Sequence, residues 1–239
     1  MPQPKKTFAF DDEVQTILNK TTDKKTNILL YGSSTFTLWG SEVHEALKPF
    51  KVINHGFGGS TAEDADHYFN RMVLPFDFDT LILYEGDNDL MNPQTTVEDV
   101  VFHFKRMLSK MQLHKPQANI IIVEVKPSMN RQHLLGIQKK LNRKFVELAS
   151  IFPKVSIVPM HDVVFLKPNE FRPNIFLNDG LHFSPLGYKF FTTALFEVLE
   201  KIYPNYRGFK IQKDSTFMIV FIPVTIVILI AIIVWLLIN

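Results

Sequence analysis

Two kinds of apolar run alternate along the chain. Residues 28–31, 80–84, 120–125 and 155–158 are short and nearly continuously hydrophobic, the signature of strands buried on both faces. Another short run, at 51–54, reads as a further strand. Between them lie longer segments with helical spacing, clearest where Val97, Val100, Val101, Phe104, Met107, Leu108 and Met111 recur three or four apart. The pattern predicts helices over about 36–48, 61–73, 95–113, 131–152 and 185–202, with a short one near 13–19. Ser60 with Glu63 and Thr95 with Glu98 read as capping boxes. Pro185 suits the first turn of the last helix. Residues 159–184 read as loop.

Strands alternating with helices imply βαβ units, right-handed crossovers and a mostly parallel sheet covered on both faces. The expected organisation is a polar and helical extension at 1–25, an α/β domain at 26–203, a polar linker at 204–216 and an apolar segment at 217–238. That last segment has 22 residues and no charge. At about 1.5 Å per residue it spans roughly 33 Å, enough for a bilayer core. It therefore reads as a single transmembrane helix and as the contact with the lipid bilayer. Lys201, Arg207, Lys210 and Lys213 precede it, so the positive-inside rule puts the domain in the cytoplasm as a tail-anchored, single-pass membrane protein. The first twelve residues lack the apolar core of a secretory signal.

Composition narrows the chemistry. There is no cysteine, which excludes disulfides, thiolate nucleophiles and cysteine-bound zinc. With 26 basic and 24 acidic residues the charge is too balanced for a nucleic-acid partner. Gly56-Phe57-Gly58-Gly59 lacks the third glycine of a dinucleotide fingerprint, and no phosphate-binding P-loop occurs. Asp87-Asn88-Asp89 lacks the glycine and distal glutamate of a calcium loop.

Polar residues collect where strands end. Gly32-Ser33-Ser34 follows the first strand, and taken alone would serve equally as a helix N-cap. The glycine turn 56–59 follows the second, Asn88 the third, and Asp179 with His182 the fifth. The carboxyl edge of such a sheet is where ligands bind. Together these are the parts of an acyl-transfer site: Ser34 as nucleophile, His182 as base, Asp179 to orient it. The backbone N–H groups of Ser34 and Gly59 and the Asn88 amide are the candidate oxyanion donors. His55, Lys126 and Arg131 also lie near strand ends and are candidates for lining the substrate entrance, although a plain structural role suits them as well. The remaining histidines have no carboxylate at a telling spacing. No α/β-hydrolase G-x-S-x-G elbow is present.

These blocks, in this order, resemble the SGNH hydrolases, also called GDSL-type esterases, lipases and acylhydrolases. The resemblance rests on Gly32-Ser33-Ser34, on 54–60, on Gly86-Asp87-Asn88-Asp89, on Lys126-Pro127-Ser128 and on Asp179-Gly180-Leu181-His182-Phe183. It covers roughly residues 26–203. It implies a three-layer flavodoxin-like sheet of about five strands in the order 2-1-3-4-5, with Ser34, His182 and Asp179 catalytic, Ser34, Gly59 and Asn88 forming the oxyanion hole, and no metal or organic cofactor. The expected partner is an ester substrate, a lipid or an acylated carbohydrate. Ser33 stands where the family usually has an aspartate, so altered hydrogen bonding is expected there. An O-acyltransferase using the same site, or a membrane-tethered binding module without turnover, are the alternative readings.

Overall fold

The structure, a computed structural model, describes residues 9–205. They belong to the first of two units into which the chain divides, Met1–Phe209; the second is Lys210–Asn239. A helix α1 (Asp11–Lys20) leads into strand β1 (Lys25–Gly32), followed by two short helices, α2 (Ser34–Thr37) and α3 (Glu42–Ala46). Then come β2 (Val52–Gly56), α4 (Ala62–Met72), β3 (Asp77–Tyr84), α5 (Val97–His114), β4 (Asn119–Val123), α6 (Leu135–Ile151) and β5 (Val155–Val158). A one-turn helix α7 (His161–Val164), a hairpin of β6 (Phe165–Lys167) and β7 (Glu170–Phe171), and the long α8 (Pro185–Ile202) complete it.

The five long strands form one sheet in the order β2-β1-β3-β4-β5, and every neighbouring pair is parallel. Period-two alternation divides β1 between two cores. Leu29 and Tyr31 pack with α4, α5 and α6 on one face, while Ile28 and Leu30 pack with α8 and the short helices on the other. This two-sided burial is why the strands read as unbroken hydrophobic runs.

The helices depart from expectation in instructive ways. The predicted helix over 36–48 is split. Trp39 is buried and stacks on Tyr188, with ring centroids 5.3 Å apart. Gly40 takes φ +57°, which ends the first piece. The side chain of Asn54 donates to the carbonyl of Phe36 at 2.8 Å, satisfying the end of that same short helix. Both capping boxes sit one residue later than predicted, at Thr61 with Asp64 and Thr96 with Asp99. In each case the shorter aspartate reaches back to the N-cap backbone, and Ser60 turns inward instead. The loop 159–184 contains α7 and the β6–β7 hairpin.

The membrane reading needs correction. Among the described residues no helix is long and apolar enough to cross a membrane, because each long helix buries one face and exposes a polar one. The segment at 217–238 lies outside the described residues. The transmembrane helix, the bilayer contact and the cytoplasmic, tail-anchored placement derived from it are accordingly set aside.

The tightest backbone approach is at the end of β1. Gly32 has φ +145°, and a β-carbon there would be driven into the carbonyl oxygen of Tyr84 on β3. The next residue, Ser33, donates its N–H to that same carbonyl at 3.1 Å. Gly32→Ala should therefore destabilise the protein by about 3 kcal/mol or more. Urea unfolding monitored by circular dichroism measures this, and an unchanged midpoint would show that the strands tolerate separation at this point.

Candidate active site

The β1–α2 turn places Ser34 at the first position of α2, half-buried, with its backbone N–H free of any intrahelical partner. Its hydroxyl lies 3.2 Å from Nε2 of His182. Nδ1 of the same ring lies 2.6 Å from Oδ2 of Asp179. The other carboxylate oxygen, Oδ1, accepts the backbone N–H groups of Leu181 at 2.9 Å and His182 at 3.0 Å. Gly180, at φ +65°, allows this tight turn. Burial alone would raise the Asp179 pKa. The two backbone donors and the His182 ring outweigh it and hold the carboxyl down at about 2. Asp179 is thus an anion at neutral pH, taking the Nδ1–H of His182 and leaving Nε2 as acceptor for the Ser34 hydroxyl.

On the other side of Ser34 lies the glycine turn. A β-carbon on Gly58 would come within 4.0 Å of Ser34 Cβ. Gly59 has φ +85° and faces open space. Asn88 is tied to this turn and to the serine turn at once: its Nδ2 donates to Ser60 O at 3.0 Å and to Ser33 Oγ at 2.8 Å. Ser34, Gly59, Asn88, Asp179 and His182 are therefore gathered at one edge of the sheet.

The three candidates for lining the substrate entrance, His55, Lys126 and Arg131, are all buried. His55 is fully buried on β2, with Nδ1 2.7 Å from Met72 O, Nε2 3.1 Å from Thr21 Oγ1, and its ring edge-on to Phe76. Alternation along β2 turns it away from Ser34, since its neighbour Asn54 is the one facing α2. Lys126 and Arg131 point inward. Arg131 Nη1 lies 2.8 Å from Asp87 Oδ2, and Lys126 Nζ lies 3.7 Å from the same oxygen. Both cations are buried, so neither lines an entrance.

Sequence reasoning gave no site role to Ser60, Glu85 and Asp87, and marked Ser33 as a place of altered hydrogen bonding. Ser33 accepts from Asn88, Asp87 gathers the two cations, and Ser60 lies 2.5 Å from Oε1 of Glu85 through its hydroxyl. Glu85 is fully buried, and desolvation pushes its pKa well above the usual carboxylate range. The available signal was density: three acidic residues, Glu85, Asp87 and Asp89, lie within five positions at a strand end. Among the described residues no group of three or more histidine, aspartate or glutamate side chains is arranged to hold a metal ion.

The model of the GDSL-like Lipase/Acylhydrolase family matches residues 21–190. The chain belongs to that family and is a carboxylic ester hydrolase. Among solved structures it is similar to a GDSL-like lipase from Bacteroides thetaiotaomicron, at 16% identity and a TM-score of 0.66, covering 81% of this chain and 98% of that one. It is also similar to a lipase/acylhydrolase from Enterococcus faecalis, at 20% identity and a TM-score of 0.60, covering 75% and 96%. A carbohydrate esterase family 3 protein from Talaromyces cellulolyticus matches at 15% identity and a TM-score of 0.58, covering 74% and 98%. At these identities the structural likeness concerns the fold alone. No curated protein sequence matches the chain.

Burial of His55 generates a pH prediction. Desolvation lowers its pKa from 6.5 to about 4, so between these values the unfolded chain binds the extra proton and the native state does not. The resulting stability is present above about pH 6.5 and is lost as pH falls towards 4, by up to about 3 kcal/mol. His55→Gln should flatten this part of the stability curve relative to wild type in urea unfolding from pH 4 to 7. Parallel curves would mean the ring is protonated in the native state.

Proposed function

We propose that the protein hydrolyses acyl esters through a covalent intermediate on Ser34. The observation that carries this reading is the line of hydrogen bonds from Ser34 Oγ to His182 Nε2 and from His182 Nδ1 to Asp179. A serine hydroxyl is a weak nucleophile until a base takes its proton. His182 Nε2 is positioned to take it as Oγ attacks the ester carbonyl, and the Asp179 anion stabilises the imidazolium that forms. The oxyanion of the tetrahedral intermediate receives the N–H groups of Ser34 and Gly59 and Nδ2–H of Asn88. In the free enzyme Nδ2 donates to Ser33 and Ser60; an oxyanion, being charged, is a stronger acceptor than the neutral Ser33 hydroxyl.

Collapse of the intermediate breaks the ester C–O bond. The departing alkoxide takes the proton from His182, leaving the acyl group on Ser34. Water then attacks the acyl-enzyme with His182 as base, and the carboxylic acid leaves as Ser34 recovers its proton. Gly59 and Asp179 are exposed, so the site opens to the surface and suits an ester of a bulky alcohol, a lipid or an acylated carbohydrate.

The full-length protein should hydrolyse p-nitrophenyl acetate, and Ser34→Ala or His182→Ala should each lower kcat/KM by about 10⁴-fold. Turnover by a folded Ser34→Ala variant at the wild-type rate would overturn the reading.

A further inference from the structure

We propose that Arg131, a buried side chain, is a positioning residue that sets the donor face of Asn88. This inference rests on the reading of Asn88 as an oxyanion donor. A carboxamide is nearly symmetric in shape, and only its partners decide which end carries the N–H groups. Arg131 has no acceptor, so whichever amide atom it meets must be the oxygen. Its Nη2 donates to Asn88 Oδ1 at 3.0 Å. Nδ2 is thereby directed towards Ser33 and Ser60, on the side of the nucleophile turn.

The guanidinium is itself fixed. Nη1 donates to the backbone carbonyl of Asp87 at 2.9 Å and meets the Asp87 carboxylate at 2.8 Å. Gln138 Nε2 holds the other carboxylate oxygen at 3.2 Å. One planar fork therefore grips Asp87 with one arm and the next residue's side chain with the other. Lysine could keep the charge but not both arms. The same loop also reaches the general-base turn. Asn130 N–H donates to Gly180 O at 3.0 Å, and Asn130 Nδ2 donates to Asp179 O at 3.3 Å. Residues 130 and 131 thus fasten the Asp179 turn and the Asn88 amide from one short segment.

The test is a double-mutant cycle on the full-length protein with p-nitrophenyl acetate, reading kcat, KM and Tm. Asn88→Ala should lower kcat by about 10²- to 10³-fold. Arg131→Met should lower kcat by about 10- to 100-fold, with KM changed less than about threefold, as expected of a group acting only on the transition state. The double variant should be no slower than Asn88→Ala alone, within about threefold. Arg131→Lys should remain at least about fivefold below wild type. If Arg131→Met does not fold, the cycle is run with Arg131→Lys. Asp66→Asn loosens a different cluster, that of a buried carboxylate with His103, Arg106 and Lys110, which touches neither Asn88 nor Arg131; it should lower Tm while leaving kcat within about twofold.

Wild-type kcat in folded Arg131→Lys would overturn the inference. So would losses at 88 and 131 that multiply, or a kcat loss in Asp66→Asn equal to that in Arg131→Met. Those failures would leave the Ser34 reading intact, because Ser34→Ala would still abolish turnover. Turnover surviving in Ser34→Ala would instead overturn that reading and this inference with it.

Discussion

A carboxylate held away from water has to be paired, and Asp87 is such a carboxylate. It is 5% exposed at the end of β3, in the middle of the sheet's carboxyl edge. Leaving it without partners would cost several kcal/mol. Arg131, Lys126 and Gln138 meet that need, and all three come from the chain that follows β4. Satisfying one charge therefore draws the loop after β4 across to the loop after β3. Burial lowers the pKa of Lys126, and the neighbouring Asp87 carboxylate opposes that shift. Asn88 and the Asp179–His182 turn are carried along, since both are bonded to that same loop.

The serine at position 33 fits this setting. Its hydroxyl accepts the Asn88 amide at 2.8 Å, which is the hydrogen bond an aspartate there could also accept. The neighbourhood already holds Asp87, Asp89 and the buried Glu85. Asp89 is itself pushed up to about 6, chiefly by burial, while two contacts with the N–H of Ala62 hold it back. Another carboxylate would add repulsion to a cluster that burial already pushes towards neutrality. The hydroxyl keeps the acceptor and drops the charge.

Much of the fold was legible in the sequence, for a physical reason. Strands buried on both faces are continuous hydrophobic runs, and helices between them carry a stripe, so element type follows from period alone. Boundaries were less so. The Trp39 and Gly40 break depends on stacking against Tyr188, which lies 149 positions away, and overlapping cap frames at 60–64 and 95–99 differ only in which acid reaches back. At the site, Asp179 and His182 are three residues apart in one turn, so their contact is local and readable. Lys126 and Arg131 misled because charge ordinarily signals exposure; nothing in one dimension says that Asp87 would be buried to meet them. His55 misled because one step along a strand reverses the face.

The claim on which this account turns is that Ser34 is the nucleophile. The most direct measurement is to treat the folded full-length protein with a fluorophosphonate and map the adduct by peptide mass spectrometry. The account predicts one phosphonyl group, on Ser34, formed at a rate that falls sharply when His182 is replaced by alanine. A phosphonyl group on any other residue, or none on a protein that hydrolyses esters, would contradict it.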